Sequence, residues 1–281
     1  MIRSNPQTIQ LKGELLSLDV PVVMGIINAT PDSFFDRSRA EGTREVVELA
    51  AKHLREGATI LDVGGYSTRP GARDVSIEEE KGRVREAVKA ILSEFPDAYI
   101  SVDTFRAEVA EVALTEGAAM VNDVSGGTDD AHMWPFMAES RVPFVVMHKQ
   151  GKPKTMQVNP RYDDVVEEVL GFVSNQVDTA QKLGIPDLII DPGFGFGKTL
   201  DHNYELLQNL SRFQIFEKPI LVGVSRKSMI NSVLEIKAKD ALNGTTAIHA
   251  WALDRGAGIL RVHDVKEAVE VVKLHQQLKK R

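Results

Sequence analysis

The sequence predicts an α/β fold, a TIM-type (βα)8 barrel with a short N-terminal β-hairpin. Three observations predict it. Short apolar runs alternate with amphipathic helical stretches from about residue 20 to the end of the chain. Most of these runs are apolar at consecutive positions, as in Leu188-Ile189-Ile190 and Phe144-Val145-Val146, which suits a parallel sheet covered on its faces. A Gly-Ala pair separates a helical stretch from the next apolar run three times, at Gly57-Ala58, Gly117-Ala118 and Gly256-Ala257.

Residues 1–19 place Ile9, Leu11, Leu15, Leu16 and Leu18 around Gly13 and predict a hairpin capping the barrel bottom. Strands are expected at residues 21–29, 59–64, 98–103, 120–124, 143–148, 188–193, 219–225 and 258–263. Between them, Val46, Leu49, Ala50 and Leu54 form a helical stripe, and Ser76 with Glu79 fits a capping box. A long helix is expected over residues 163–183, ending at Gly184, and another over 265–278. In each Gly-Ala copy the glycine marks a helix stop, where left-handed φ is favoured. The fifth residue after it is polar: Asp62, Asn122 and Arg261. Eight such units favour a closed barrel over an open doubly wound sheet, and no Gly-x-Gly-x-x-Gly follows the first strand. No linker interrupts the pattern, so residues 1–281 are read as one domain, a hairpin cap (1–19) on a barrel (20–281).

Composition narrows the function. With 34 basic against 40 acidic residues, a net charge of -6 and no basic block before Lys279-Lys280-Arg281, a nucleic-acid partner has little electrostatic support. Cysteine is absent, which removes disulfide and thiolate chemistry and fits a reducing compartment. Residues 1–6 carry no apolar signal core, and no apolar run approaches the roughly 18 residues of a membrane span. A cytoplasmic protein without a membrane partner is expected.

Polar residues collect at the C-terminal ends of the expected strands, the end where barrel enzymes build their sites. They are Asn28; Asp62; Asp103; Asn122 and Asp123; Met147 and His148; Asp191 leading into Pro192-Gly193-Phe194-Gly195-Phe196-Gly197-Lys198; Ser225-Arg226-Lys227; and Arg261 with His263. A lone Asp or Asn after a strand is more often a turn former, and a lone Lys near a helix start is usually solvated. Recurrence in all eight units shifts the balance toward a shared site. Asp103 and Asp191 can accept paired N–H donors from a 2-aminopyrimidinone edge, and Asn122 can donate and accept. Lys227 can donate to a ring atom, and Arg261 can stack on a heterocycle or bind an anion. His263 and Asn28 can meet diphosphate oxygens. No Ser-His-Asp spacing, HExxH or Walker loop is present, which disfavours hydrolase, zinc protease and P-loop functions.

Several motifs, in order, resemble the dihydropteroate synthase family over roughly residues 20–275. They are Met24-Gly25-Ile26-Ile27-Asn28-Ala29-Thr30-Pro31-Asp32-Ser33-Phe34, Gly64-Gly65-Tyr66-Ser67-Thr68-Arg69-Pro70-Gly71, Ser101-Val102-Asp103-Thr104, Val121-Asn122-Asp123-Val124-Ser125-Gly126-Gly127, the Asp191–Lys198 run, Gly223-Val224-Ser225-Arg226-Lys227-Ser228, and Arg261-Val262-His263-Asp264. The resemblance implies condensation of 6-hydroxymethyl-7,8-dihydropterin diphosphate with 4-aminobenzoate, giving 7,8-dihydropteroate and diphosphate. It implies that Asp103, Asn122, Asp191 and Lys227 hold the pterin, while Arg261 stacks on it and joins His263 and Asn28 at the diphosphate. Asn28 is the implied direct protein ligand of Mg2+. Thr68, Arg69, Phe196, Lys227 and Ser228 are implied to line the 4-aminobenzoate site, where sulfonamides compete. Asp32, Arg69 and Lys227 are the implied catalytic residues, with Asp32 and Arg69 on loops that close over the site. The family is usually dimeric, so a homodimer is expected.

Two positions depart from the family pattern. Tyr66 stands where many members have an acidic residue, and Phe34-Phe35-Asp36-Arg37-Ser38 lacks their Asp-Gly-Gly. A pterin-binding methyltransferase would share the pocket but has no need of Asn28, Arg261 and His263 as a diphosphate set. A paralogue that binds pterin without turnover is disfavoured by the same residues with Lys227.

Overall fold

The computed structural model describes residues 7–29, 39–66, 74–151, 156 and 158–280. Each expected apolar run forms a strand: β3 Val22–Asn28, β4 Ile60–Gly64, β5 Tyr99–Asp103, β6 Met120–Asp123, β7 Phe144–Met147, β8 Leu188–Asp191, β9 Leu221–Val222 and β10 Ile259–Val262. All neighbours pair in parallel, in the order β8-β7-β6-β5-β4-β3-β10-β9. First and last barrel strands are therefore adjacent, with Arg261 opposite Met24. A single parallel bridge, Ile190 to Ile220, with the Ile190 N–H donating to Pro219 O at 2.9 Å, joins the two ends and closes the barrel. That closure excludes the open sheet.

Helices cover the outside: α1 Arg39–Glu56, α2 Ile77–Glu94, α3 Ala107–Thr115, α4 Met133–Ser140, α5 Val165–Lys182, α6 Leu200–Gln208, α7 Ser228–Leu234, α8 Leu242–Asp254 and α9 Val265–Lys279. The hydroxyl of Ser76 caps α2 by accepting from Glu79 N–H. Asp164 caps α5 by accepting from the Val166 and Glu167 N–H groups, both at 2.9 Å. Outward-facing strand residues such as Val23, Ile27, Leu61, Val63 and Val121 pack with Val46, Ala50, Val84 and Val88 of the helices into one buried layer.

The three Gly-Ala stops share one geometry. Gly57, Gly117 and Gly256 have φ of 99°, 105° and 100°. The following Ala N–H donates five residues back in each copy, to His53, Ala113 and Ala252, at 2.9, 2.9 and 3.0 Å. This is a Schellman stop, and a side chain at the glycine would strain the left-handed backbone. Identical stops deliver the chain into β4, β6 and β10 in the same register.

The hairpin pairs β1 Thr8–Leu11 with β2 Glu14–Ser17 in antiparallel register. Its strand β1 alternates exposed and buried, and Ile9 and Leu11 are the buried pair. They pack against Met24, Ile60, Met120, Val145, Ile189, Leu221 and Ile259, the inward residues at the strand starts. Each such burial is worth about 1.5–3 kcal/mol. The plug seals the barrel bottom and leaves the opposite end for polar residues. Among the described residues no helix is long and apolar enough to cross a membrane.

Candidate active site

The pleat turns every second strand residue inward. Two positions beyond the apolar floor, the inward residue is polar on four strands: Ile60 gives way to Asp62, Met120 to Asn122, Ile189 to Asp191 and Ile259 to Arg261. Register places Asp62 opposite Ser101 and Asp103 opposite Asn122.

These residues meet. Arg261 donates from Nε to Asp62 Oδ2 at 2.6 Å and from Nη2 to Asp103 Oδ2. Asn122 donates from Nδ2 to the same Asp62 oxygen at 3.1 Å. The three fifth-position residues of the repeat thus share one oxygen atom. The other Asp62 oxygen and the Ser101 hydroxyl are buried without a hydrogen-bond partner among the described residues. Burial raises the Asp103 pKa to about 7, with Arg261 opposing and Asp62 reinforcing the shift. Burial alone would lower the Arg261 pKa, but Asp62 and Asp103 outweigh it and hold the guanidinium charged.

Across the barrel, Asp191 is 5% exposed and its Oδ1 accepts from Gly193 N–H at 2.7 Å. Burial raises its pKa, with Lys227 opposing. Lys227 donates to Phe194 O at 2.6 Å, and its Nζ lies 4.6 Å from the Phe196 ring centroid. Burial lowers its pKa to about 8, against the pull of Asp191. Gly193 has no room for a side chain, since a Cβ there would fall 1.8 Å from His148 O, and its φ is +73°. That close approach lets the 193–198 turn lie on the end of β7.

At the rim, Asn28 is exposed at the end of β3 beside Gly64, and Ser228 is exposed at the first residue of α7. His263 is half-buried, and its backbone N–H donates to Ser225 Oγ at 3.2 Å. Arg226, with φ 58°, grips Asp264 through Nε and Nη2 and caps two carbonyls at Ala238 and Lys239. Its guanidinium is therefore a brace that fixes the Lys227 turn against the end of β10.

The barrel gathers Asp103, Asn122, Asp191, Lys227 and Arg261 at the C-terminal ends of its strands, with Phe196 beside Lys227, Asn28 at the end of β3, Ser228 at the start of α7 and His263 just past β10. Asp32, Thr68 and Arg69 lie outside the described residues. Tyr66 lies at the edge of that second loop, its hydroxyl donating to Asp74 at 3.0 Å and the Arg106 guanidinium 5.3 Å over its ring.

Three polar residues at strand ends serve the scaffold instead. Asp123, next to Asn122, points the other way and accepts from the Ser125 and Gly127 N–H groups at 2.6 and 2.8 Å. His148 and Lys198 are buried together, Nζ to Nδ1 at 2.9 Å, and Nζ also reaches the carbonyls of Gly193, Phe196 and His148. Lys198 is thus the opposite of a solvated lysine. Asp62 is the pocket residue the sequence reading gave no role. Its signal was present in the repeat, where it shares a register with Asn122 and Arg261.

A separate cleft of about 690 Å³ lies at the hairpin end, lined by Gln7, Asp19, Asp187, Gln214, Lys218 and backbone turns. Asp187 in its lining accepts from the Gln10 N–H at 2.9 Å, whereas the polar strand ends bring together two cations and several carboxylates.

Comparison with known proteins shows the family and the fold. The model of the family described as "Pterin binding enzyme" matches residues 24–263. The chain is 45% identical to the dihydropteroate synthase of Escherichia coli K12, over 94% of this chain and 93% of that one. It is similar to the structure of Xanthomonas albilineans dihydropteroate synthase with 4-aminobenzoic acid, with TM-score 0.91, 38% identity, and coverage of 99% of this chain and 100% of that one. The same enzyme in complex with 7,8-dihydropteroate matches with TM-score 0.87 and 36% identity, over 98% and 100% of the two chains.

Proposed function

This chain belongs to the pterin-binding enzyme family, among the dihydropteroate synthases, and from that premise we infer that it is a transferase of folate biosynthesis. It joins 6-hydroxymethyl-7,8-dihydropterin diphosphate to 4-aminobenzoate, giving 7,8-dihydropteroate and diphosphate. The observation that carries this reading is the convergence of Asp62, Asp103, Asn122, Asp191, Lys227 and Arg261 above a sealed apolar floor. Buried acceptors with so few internal donors suit a heterocycle rich in N–H groups.

Asp103, Asn122 and Asp191 take the ring edge, and Lys227 donates to a ring atom. Arg261 covers the ring and, with His263 and Asn28, meets the diphosphate. The C–O bond breaks first, and its electron pair leaves with the diphosphate. The cation at the exocyclic carbon spreads into the electron-rich dihydropterin ring. The arylamine nitrogen then bonds to that carbon and loses a proton. An arylamine is neutral at pH 7, so no strong general base is required. Positive charge at the diphosphate supplies most of the catalysis. Thr68, Arg69, Phe196, Lys227 and Ser228 line the second substrate's place. The roles of Asp32 and Arg69 in closing over it belong to the same reading.

Mg2+ is part of the proposal. An exposed amide oxygen at Asn28 suits an ion that keeps its waters and takes phosphate oxygens, and such a site needs no carboxylate cage. The bound ion would add charge that stabilises the leaving diphosphate.

We also propose a homodimer. Trp251 of α8 and Leu274 and Leu278 of α9 are large, apolar and exposed on adjacent helices. A cytoplasmic setting suits a chain without cysteine. The deciding assay for the function is diphosphate release that requires both substrates. Release with pterin diphosphate alone, or none with both, would overturn the reading.

A further inference from the structure

Asp62 lies on β4 at 0% exposure, in the same inward layer as Asn122, Asp191 and Arg261. One of its oxygens accepts both from Arg261 Nε and from Asn122 Nδ2. The other is buried and has no hydrogen-bond partner among the described residues. A half-used carboxylate in this place costs stability, and a buried ion pair can often be replaced by packed apolar side chains without loss. The fold therefore gives little reason for an aspartate here, and the two groups it holds give a better one.

The first is Asn122. An amide can turn either end toward a ligand. With one N–H spent on Asp62, Asn122 has its carbonyl oxygen and its second N–H to present, a fixed donor and acceptor pair. The second is Arg261. It rests on two carboxylates, Nε on Asp62 and Nη2 on Asp103. A heterocycle that claims Asp103 displaces only the outer nitrogen. The Nε bond lies nearer the backbone and survives the exchange, leaving the outer donors to turn toward an anion.

We propose that Asp62 is a positioning residue of the condensation: it sets the amide orientation of Asn122 and is the pivot on which Arg261 exchanges Asp103 for the diphosphate. The proposal rests on the functional reading above. It gives Asp62 a role through its neighbours, with no bond to the reacting atoms.

The test is Asp62→Asn, close in shape and without the charge, alone and in an Arg261→Lys background. The expected variant melts cooperatively near the parent temperature. Its kcat/KM for pterin diphosphate falls about 10²-fold, the scale of a misplaced binding group, while KM for 4-aminobenzoate at saturating pterin stays close to the parent value. In the Arg261→Lys background the same substitution costs much less, because the group it positions is already changed. Parent-like turnover of Asp62→Asn, full additivity with Arg261→Lys, equal loss toward both substrates or failure to fold would each overturn the proposal. Failure to fold would make the residue's role one of stability alone. A parent chain that releases no diphosphate would bring down the functional reading and this proposal together. An active parent with an equally active variant removes only the proposal.

Discussion

The Nε of Arg261 lies 2.6 Å from the carboxylate of Asp62, across 199 residues of sequence. The same guanidinium also bonds Asp103, so Arg261 is held between two carboxylates of its own barrel. On the proposed function, binding is an exchange in which the ring's N–H groups replace Arg261 at Asp103 and the diphosphate takes up the freed Arg261 donors.

Asp191→Asn keeps an oxygen for the Gly193 N–H but removes the charge proposed to meet the ring. Hydrogen bonds to charged groups are worth about 1.5–3 kcal/mol, so pterin affinity should fall about 10- to 100-fold with the melting temperature nearly unchanged. Calorimetric titration with 6-hydroxymethylpterin checks this. Parent-like affinity would remove Asp191 from the ring-binding set.

Acid and base limbs of the rate profile should lie close together. Burial raises Asp103 to about 7, so its acceptor form is lost as pH falls below that value. Burial lowers Lys227 to about 8, so its donor charge is lost as pH rises past it. The kcat/KM for pterin diphosphate reports the free enzyme and should peak between the two. Lys227→Arg should move the alkaline limb upward, because guanidinium stays charged. An alkaline limb that stays in place in this variant would mean that another group titrates there.

Removal of Mg2+ with a chelator should weaken the binding of inorganic diphosphate. Asn28→Ala should make that binding insensitive to added Mg2+, as read by titration at fixed ionic strength. A variant that keeps the parent's Mg2+ response would exclude Asn28 as the ligand.

Lys198→Met should loosen the turn under the pocket. Burial is the larger cause that lowers His148 to about 3, so its ring is neutral and Nδ1 accepts from Lys198. The substitution leaves that nitrogen without its buried donor, while the Gly193 carbonyl keeps the Phe196 N–H, at a cost of about 1–3 kcal/mol. Urea denaturation should show the lower midpoint. An unchanged midpoint would mean that the turn is held by its glycines alone.

Charge at the exposed apolar residues of α8 and α9 should separate the proposed dimer. Trp251→Glu with Leu274→Glu is expected to sediment as a monomer where the parent sediments as twice that mass. A parent that is itself monomeric would remove the dimer from the reading.

The sequence by itself determined the strands, the helices and their order, because these follow from local periodicity. Leu188-Ile189-Ile190 suits a covered strand, and three Gly-Ala stops put Asp62, Asn122 and Arg261 in one register. Sequence also placed Asp103, Asn122, Asp191, Lys227 and Arg261 at strand ends, though their roles came from a resemblance. Only the tertiary structure decided which adjacent polar residue faces inward: Asn122 reaches Asp62 inside the barrel, whereas Asp123 ties its own loop. Only it turned Lys198 from a surface charge into a buried pin, and Asp62 from a strand residue into the shared acceptor of Asn122 and Arg261. The pleat and the helix stop are set by a few neighbouring residues. Contacts across the barrel depend on closure between β8 and β9 and on the seam between β3 and β10, which no local window contains.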